Sequence, residues 1–138
     1  AVQRPPAAFV DTVAKQLLVN PGMLADELYE GVRRQMAYRG VTQELPFSQF
    51  VELTEMIFGD PIAIENIPDG LKYKIELSGH EKVFFETFAR TQRRTLHRNE
   101  LIEAASARGL NATSAGVYLS TSPIIRASAV KRGYFRTV

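Results

Sequence analysis

The fold of this chain is decided by residues 96–125, which read LHRNELIEAASARGLNATSAGVYLSTSPII. Apolar residues recur at helical spacing from Leu101 to Ala105. Gly109 is placed to end this helix, and Asn111 is placed to cap a second one. The stretch therefore predicts two helices joined by a tight turn that contains glycine.

The residues on either side of this pair predict a further helix and a β-hairpin. A face of phenylalanines indicates a helix over about residues 80–91, and a short extended segment, 95–97, leads to Asn99 as the predicted cap of the next helix. Beyond the pair, residues 124–138 predict two extended arms around a turn at Gly133. The order helix, short strand, helix, helix, hairpin is typical of a winged helix-turn-helix. We therefore predict an α+β, mainly helical fold of this type.

The stretch from Leu96 to Phe135 also resembles a group of nucleic-acid-binding modules. It carries Gly-Leu after the first helix of the pair, Ser-Pro after the second, and Gly-Tyr-Phe at residues 133–135. In these features it resembles the sigma-factor-like and HARE-type winged helix-turn-helix modules, which are accessory domains of bacterial transcription and DNA-processing proteins. The resemblance implies a DNA-binding unit over about residues 80–138. The second helix of the pair departs from stronger sigma-type helices because it contains no Lys or Arg.

The first half of the chain predicts three helices followed by a hairpin. Apolar residues at helical spacing cover residues 7–19 and 23–38, and Pro46 opens a third helix. A Pro-Asp-Gly turn signal ends at Gly70, and apolar and charged residues alternate after it. This pattern predicts a β-hairpin over residues 62–77.

These patterns predict two units with a boundary between residues 78 and 79. The unit over residues 1–78 is helical and ends in the first predicted hairpin, and the unit over residues 79–138 is the predicted winged helix. Both predicted hairpins contain a glycine followed by a strand with an aromatic residue, at Gly70 and at Gly133. The unit over residues 1–78 has two alternative interpretations. It is either a degenerate winged-helix-like unit in tandem with the one over residues 79–138, or a dimerisation unit.

The two halves of the chain carry opposite charge. Residues 1–77 hold seven Lys/Arg and eleven Asp/Glu, whereas residues 78–138 hold ten and four, so that the net charges are −4 and +6. A basic unit suits a partner rich in phosphate, with Lys and Arg on the phosphates and small polar side chains on base edges. The predicted nucleic-acid-binding residues are Arg93, Arg94, Arg98, Asn111, Thr113, Ser114, Arg126, Lys131, Arg132 and Arg136.

No residue pattern for catalysis or metal binding stands out in the sequence. The histidines, His80 and His97, lie far apart and lack the carboxylate spacing of a metal site, and the chain has no cysteine. We therefore expect neither enzyme activity nor a cofactor or metal. No apolar run has the length of a membrane span. These features favour a cytoplasmic protein without membrane contact, associated with the nucleoid if its source is bacterial.

Three functions compete on the sequence alone. The first is binding of double-stranded DNA in transcription regulation or DNA processing, with RNA as an alternative polyanion. The second is a protein–protein interaction scaffold, which a predicted second helix without Lys or Arg also suits. The third is an accessory domain of a larger nuclease or helicase. In each case the acidic first half is a candidate surface for a homodimer or a protein partner.

Overall fold

The computed structural model describes residues 7–38, 40, 45–72 and 75–138. The elements in the first part of the chain are α1 (Ala7–Val19), α2 (Ala25–Tyr38), α3 (Phe47–Phe58), a 3-10 turn (Ile64–Asn66) and α4 (Asp69–Lys72). Those that follow are α5 (Gly79–Arg90), β1 (Leu96–His97), α6 (Arg98–Ala107), α7 (Ala112–Thr121), β2 (Ile125–Ala127) and β3 (Tyr134–Thr137). The chain divides into two units, Ala1–Glu76 and Leu77–Val138. The fold is α+β and mainly helical, as predicted.

The first unit is built from α1, α2 and α3 around an aromatic and aliphatic core. Phe50 and Phe58 of α3 are fully buried, and the ring of Phe50 meets that of Phe9 edge-on, with 5.7 Å between the centroids. Leu17 of α1 and Leu28 of α2 complete the same core. The three predicted helices are confirmed, because each presents apolar residues at helical spacing to this core.

The hairpin predicted over residues 62–77 is wrong for the described part of that range; residues 73 and 74 lie outside the described residues. Ile64–Asn66 forms a 3-10 turn and Asp69–Lys72 a short helix, and residues 75–78 carry no regular secondary structure. The three-residue spacing of Ile64 and Ile67 suits a 3-10 turn, in which side chains three apart lie on one face, and Ile67 is buried. All strands in the described part of the chain lie in the second unit. The tandem of two winged-helix-like units falls with this hairpin.

The second unit begins with a helix that carries a complete capping box. The Ser78 hydroxyl accepts a hydrogen bond from the Glu81 backbone N–H, and the Glu81 carboxylate accepts one from the Ser78 backbone N–H, so that α5 starts at Gly79. Phe84 and Phe88 of α5 are buried. They contribute to the core of this unit together with the other buried apolar residues, Val83, Leu96, Leu101, Ala105, Ala115, Leu119, Ile124 and Ile125.

In the helix pair, α7 has the predicted extent, whereas α6 ends near the predicted residue but begins two residues earlier than predicted. Gly109 follows α6 with φ +77°, the left-handed conformation that glycine adopts without strain. Asn111 caps α7 as predicted, because its Oδ1 accepts from the Ser114 N–H at 3.0 Å. Asn99 is not the cap of α6. The cap is His97, whose Nδ1 accepts from the Asn99 N–H at 3.1 Å.

The sheet has three antiparallel strands in the order β1-β3-β2. β3 is central and pairs Phe135 with Leu96 of β1 and with Ala127 of β2. On the opposite face, Arg126 of β2 lies directly across from Arg136 of β3. The second predicted hairpin, β2 and β3 joined through Gly133, is thus confirmed.

Candidate nucleic-acid interface

The ten predicted interface residues lie in four places within the second unit. Arg93 and Arg94 follow α5, Arg98 begins α6, Asn111, Thr113 and Ser114 lie at the start of α7, and Arg126, Lys131, Arg132 and Arg136 lie on the β2–β3 hairpin. Ser114 and Arg126 are half-buried, and the other eight are exposed. The structure brings Arg98 together with α7, and Arg126 together with Arg136.

The turn after α5 has an unusual backbone. Gln92 and Arg93 have φ angles of +58° and +57°, in the left-handed region that residues other than glycine seldom adopt. Each such residue costs roughly 1–2 kcal/mol. The Arg93 N–H donates to the Phe88 carbonyl at 2.7 Å and holds the turn. Arg93 and Arg94 are therefore displayed to solvent from a fixed turn.

Arg98 links three elements at the start of α6. Its backbone N–H donates to the Gly133 carbonyl at 2.9 Å, which joins the helix to the hairpin. Its side chain extends over α7, where Nη2 lies 2.6 Å from the position that a Cβ on Gly116 would occupy. The guanidinium of Arg98 therefore lies against the backbone of the helix predicted to read DNA.

The outer face of α7 is small, neutral and open to solvent. Thr113, Gly116, Val117 and Ser120 line an open groove between α7 and the start of α6, and Val117 is 58% exposed. The Ser120 hydroxyl donates back to the Gly116 carbonyl. The Thr113 hydroxyl has no hydrogen-bond partner among the residues that the structure describes. Of the polar groups on this face, Thr113 is thus the one most available to a ligand.

Asn111 and Ser114 serve the fold before any ligand. The Oδ1 of Asn111 is occupied by the Ser114 N–H, and the Asn111 carbonyl oxygen lies 3.1 Å from His80 Nε2. His80 also stacks on Tyr118 of α7, with 4.9 Å between the ring centroids. These contacts fix the start of α7 against α5. They leave the amide NH₂ of the Asn111 side chain and the Ser114 hydroxyl for another partner.

The hairpin presents basic groups around one aromatic ring. Lys131 Nζ lies 4.3 Å from the centre of the Tyr134 ring, a cation–π contact, and His97 meets the same ring edge-on at 5.0 Å. Arg126 and Arg136 face each other across the two strands. Like charges in directly opposed cross-strand positions destabilise a hairpin. This arrangement stores repulsion that an anion would relieve.

The basic residues of this unit are largely without acidic partners. Its carboxylates are Glu81, which is buried and bonded to Ser122, Glu86, which pairs with Arg108 at 2.8 Å, and Glu100 and Glu103 on α6. Within the described ranges, eight basic residues of this unit have no carboxylate within ion-pairing distance. They are Lys82, Arg90, Arg94, Arg98, Arg126, Lys131, Arg132 and Arg136.

Two residues important to this site are absent from the sequence-based set. Gly116 gives Arg98 room to cross α7, and a glycine inside a predicted helix was the available signal. Glu81 is 1% exposed and accepts a hydrogen bond from the Ser122 hydroxyl, which ties α5 to the segment between α7 and β2. The spacing of Ser78 and Glu81 is that of a capping box and was the signal for this residue.

Comparison of the chain with protein-family models, with curated proteins and with solved structures gave no match. Among the residues that the structure describes, no group of three or more His, Asp or Glu side chains is arranged to hold a metal ion. None of the helices in that part of the chain combines the length and the apolar character needed to cross a membrane.

Proposed function

We propose that the second unit is a winged helix-turn-helix that binds double-stranded DNA, mainly through phosphate contacts, in transcription regulation or DNA processing. The order α5, β1, α6, α7, β2, β3 with sheet order β1-β3-β2 supports this assignment. In this arrangement α7 enters the major groove, which is wide enough for one helix, and the β2–β3 hairpin is the wing beside it.

The observation that carries the proposal is the set of positive groups on the hairpin without carboxylate partners. Arg126 and Arg136 are directly opposed, and neither they nor Lys131 and Arg132 pair with an acidic side chain in the described part of the chain. Such an arrangement is unfavourable for the isolated fold. It becomes favourable beside a row of phosphates, where each cation displaces a condensed counterion.

The test is binding of a fluorescently labelled duplex of about 25 base pairs, a little over two helical turns. Fluorescence anisotropy is measured between about 50 mM and about 200 mM salt. We expect the affinity to fall steeply with salt. The Lys131→Ala/Arg132→Ala double variant should bind more weakly on every sequence, and its slope of log affinity against log salt should be shallower by about 2.

The matched control removes the same charges from the first unit. Lys15→Ala/Arg33→Ala deletes one Lys and one Arg that are paired with Asp11 and Glu30 in the first unit. If this variant loses as much affinity as the hairpin variant, binding follows net charge and not the hairpin. An RNA duplex of the same sequence serves as the second control, because a helix does not fit the deep, narrow major groove of A-form RNA.

A protein-binding role is the second candidate. It is favoured by the outer face of α7, where Val117 is 58% exposed and the helix carries no Lys or Arg. A scaffold would use that face for an apolar contact and the surrounding arginines for an acidic partner. If no duplex binds at about 50 mM salt, the result favours this role over DNA binding.

A further inference from the structure

The outer face of α7 carries a positive group that α7 itself does not encode. Within α7 there is no Lys or Arg, yet the Arg98 side chain from the start of α6 lies across it. Nη2 and Cζ of Arg98 are 2.6 Å and 3.7 Å from the site of a Cβ on residue 116. Any residue other than glycine at this position would displace the guanidinium.

Neither Gly116 in α7 nor Arg98 at the start of α6 stabilises its own helix. A glycine in the interior of a helix lowers helix stability relative to alanine. A cation in the first turn of a helix faces the positive end of the helix dipole, and Arg98 is the first residue of α6. No carboxylate in the described part of the chain pairs with it. The pairing of Gly116 with Arg98 therefore points to a role outside the fold.

We propose that Arg98 is a specificity-determining residue that recognises guanine in the major groove, and that Gly116 positions it. This inference rests on the proposed function, in which α7 occupies that groove. The guanidinium presents two parallel N–H donors that match the O6 and N7 acceptors of guanine. Beside it, the exposed methyl groups of Thr113 and Val117 suit the methyl group of thymine. The neutral surface of α7 thereby gains one fork-shaped hydrogen-bond donor.

A single-atom change in the DNA tests this assignment. The probes are two labelled duplexes of alternating G and C, about 25 base pairs long, one with guanine and one with 7-deazaguanine, which lacks only the N7 acceptor of the major groove. We expect the wild-type protein to bind the 7-deazaguanine duplex about three- to tenfold more weakly, because one of the two hydrogen bonds is lost.

Two variants separate recognition from charge and from stability. Arg98→Met keeps an unbranched stem and removes every donor, so the two duplexes should bind equally, and the slope of log affinity against log salt should be shallower by about 1. Gly116→Ala should abolish the same discrimination by displacing the guanidinium, while its Tm rises by about 4 °C because alanine favours the helix. The controls are Arg108→Met, which removes one charge just beyond the other end of α6, and Gly79→Ala, where a Cβ meets only ordinary contacts. Both should discriminate like the wild type.

The outcomes distinguish the two proposals. Salt-dependent binding with equal affinity for the two duplexes, or an Arg98→Met variant that still discriminates, overturns the role of Arg98 and leaves the DNA-binding function standing. Failure of the wild-type protein to bind either duplex overturns both. A Gly116→Ala variant that is stabilised and still discriminates overturns the positioning role of Gly116.

Discussion

Glu81 is a buried carboxylate that joins distant parts of the second unit, and its removal should reveal how much that junction contributes. One carboxylate oxygen accepts from the Ser78 backbone N–H at 3.0 Å, and the other accepts from the Ser122 hydroxyl. Ser122 Oγ in turn accepts from the Ile124 N–H, so that the contact organises the entry into β2. Glu81→Ala would remove the junction and leave a cavity.

The magnitude follows from the two hydrogen bonds to a charged group. Each contributes about 1.5–3 kcal/mol when buried, so Glu81→Ala should lower the free energy of unfolding by about 3–6 kcal/mol. A unit of this size has a total stability of only about 5 kcal/mol. Glu81→Gln keeps an acceptor for the Ser78 N–H, as glutamine does in other capping boxes, and should cost about 1 kcal/mol.

A double-mutant cycle with Ser122→Ala measures the junction itself. Free energies of unfolding from urea denaturation should show a coupling of about 1 kcal/mol or more between the two positions. Hydrogen exchange by mass spectrometry should locate the loss to residues 79–90 and 119–127 and leave α1 unchanged. Additive effects of the two substitutions, or a Glu81→Ala variant as stable as the wild type, would refute the reasoning.

Two further substitutions have clear expected outcomes. Gly31→Ala should lower the free energy of unfolding of the first unit by about 1–3 kcal/mol, because a Cβ there would overlap the fully buried Gln16 amide. A raised Tm would contradict this expectation and would show that the alanine is accommodated, as we expect at Gly116. Asn111→Ala should cost about 1 kcal/mol by removing the cap of α7, as measured by urea denaturation, and a variant of unchanged stability would show that the hydrogen bond to the Ser114 N–H is not needed.

The parts of the fold that the sequence predicts well are those with local signals. α6 and α7 end where Gly109 and Ser122-Pro123 stop them, and Asn111 starts α7. Each of these residues acts within one turn of its own position, through a backbone angle, a missing N–H or a capping oxygen. The predicted limits agree with the structure at these positions, whereas at the start of α6 the cap is His97 and not the predicted Asn99.

The hairpin over residues 62–77 failed because neither of its two signals, the Pro-Asp-Gly turn and the apolar periodicity, is specific to a hairpin, and Asp69–Lys72 forms α4 instead. Isoleucines spaced by two and three residues suit a strand or a 3-10 turn equally, and only packing against the core decides between them. Ile67 is buried in the core of the first unit, which the 3-10 turn allows. Leu24 shows the same limit, since it continues the apolar stripe of the predicted helix but is 63% exposed and precedes α2.

The sequence indicates the residue types of the candidate site but not its geometry. The ten residues are polar or basic and stand on the surface or near it, which their residue types already indicate. The position of Arg98 over Gly116 depends on how closely α6 approaches α7, and Gly116 signals only that a close approach is possible, not which side chain makes it. The hydrogen bond between Glu81 and Ser122 joins positions 41 residues apart, and it likewise depends on how the elements pack together.

Because Arg126 and Arg136 are directly opposed, dissolved salt should have two opposite effects: it should order the hairpin in the free protein and weaken its binding to DNA. In the free protein, dissolved salt screens the repulsion between the two guanidinium groups and should slow amide exchange in β2 and β3. In the complex, the same salt competes with phosphates and weakens binding. DNA would therefore rigidify a hairpin that is loosest in dilute buffer, and part of the binding energy would be spent on ordering it.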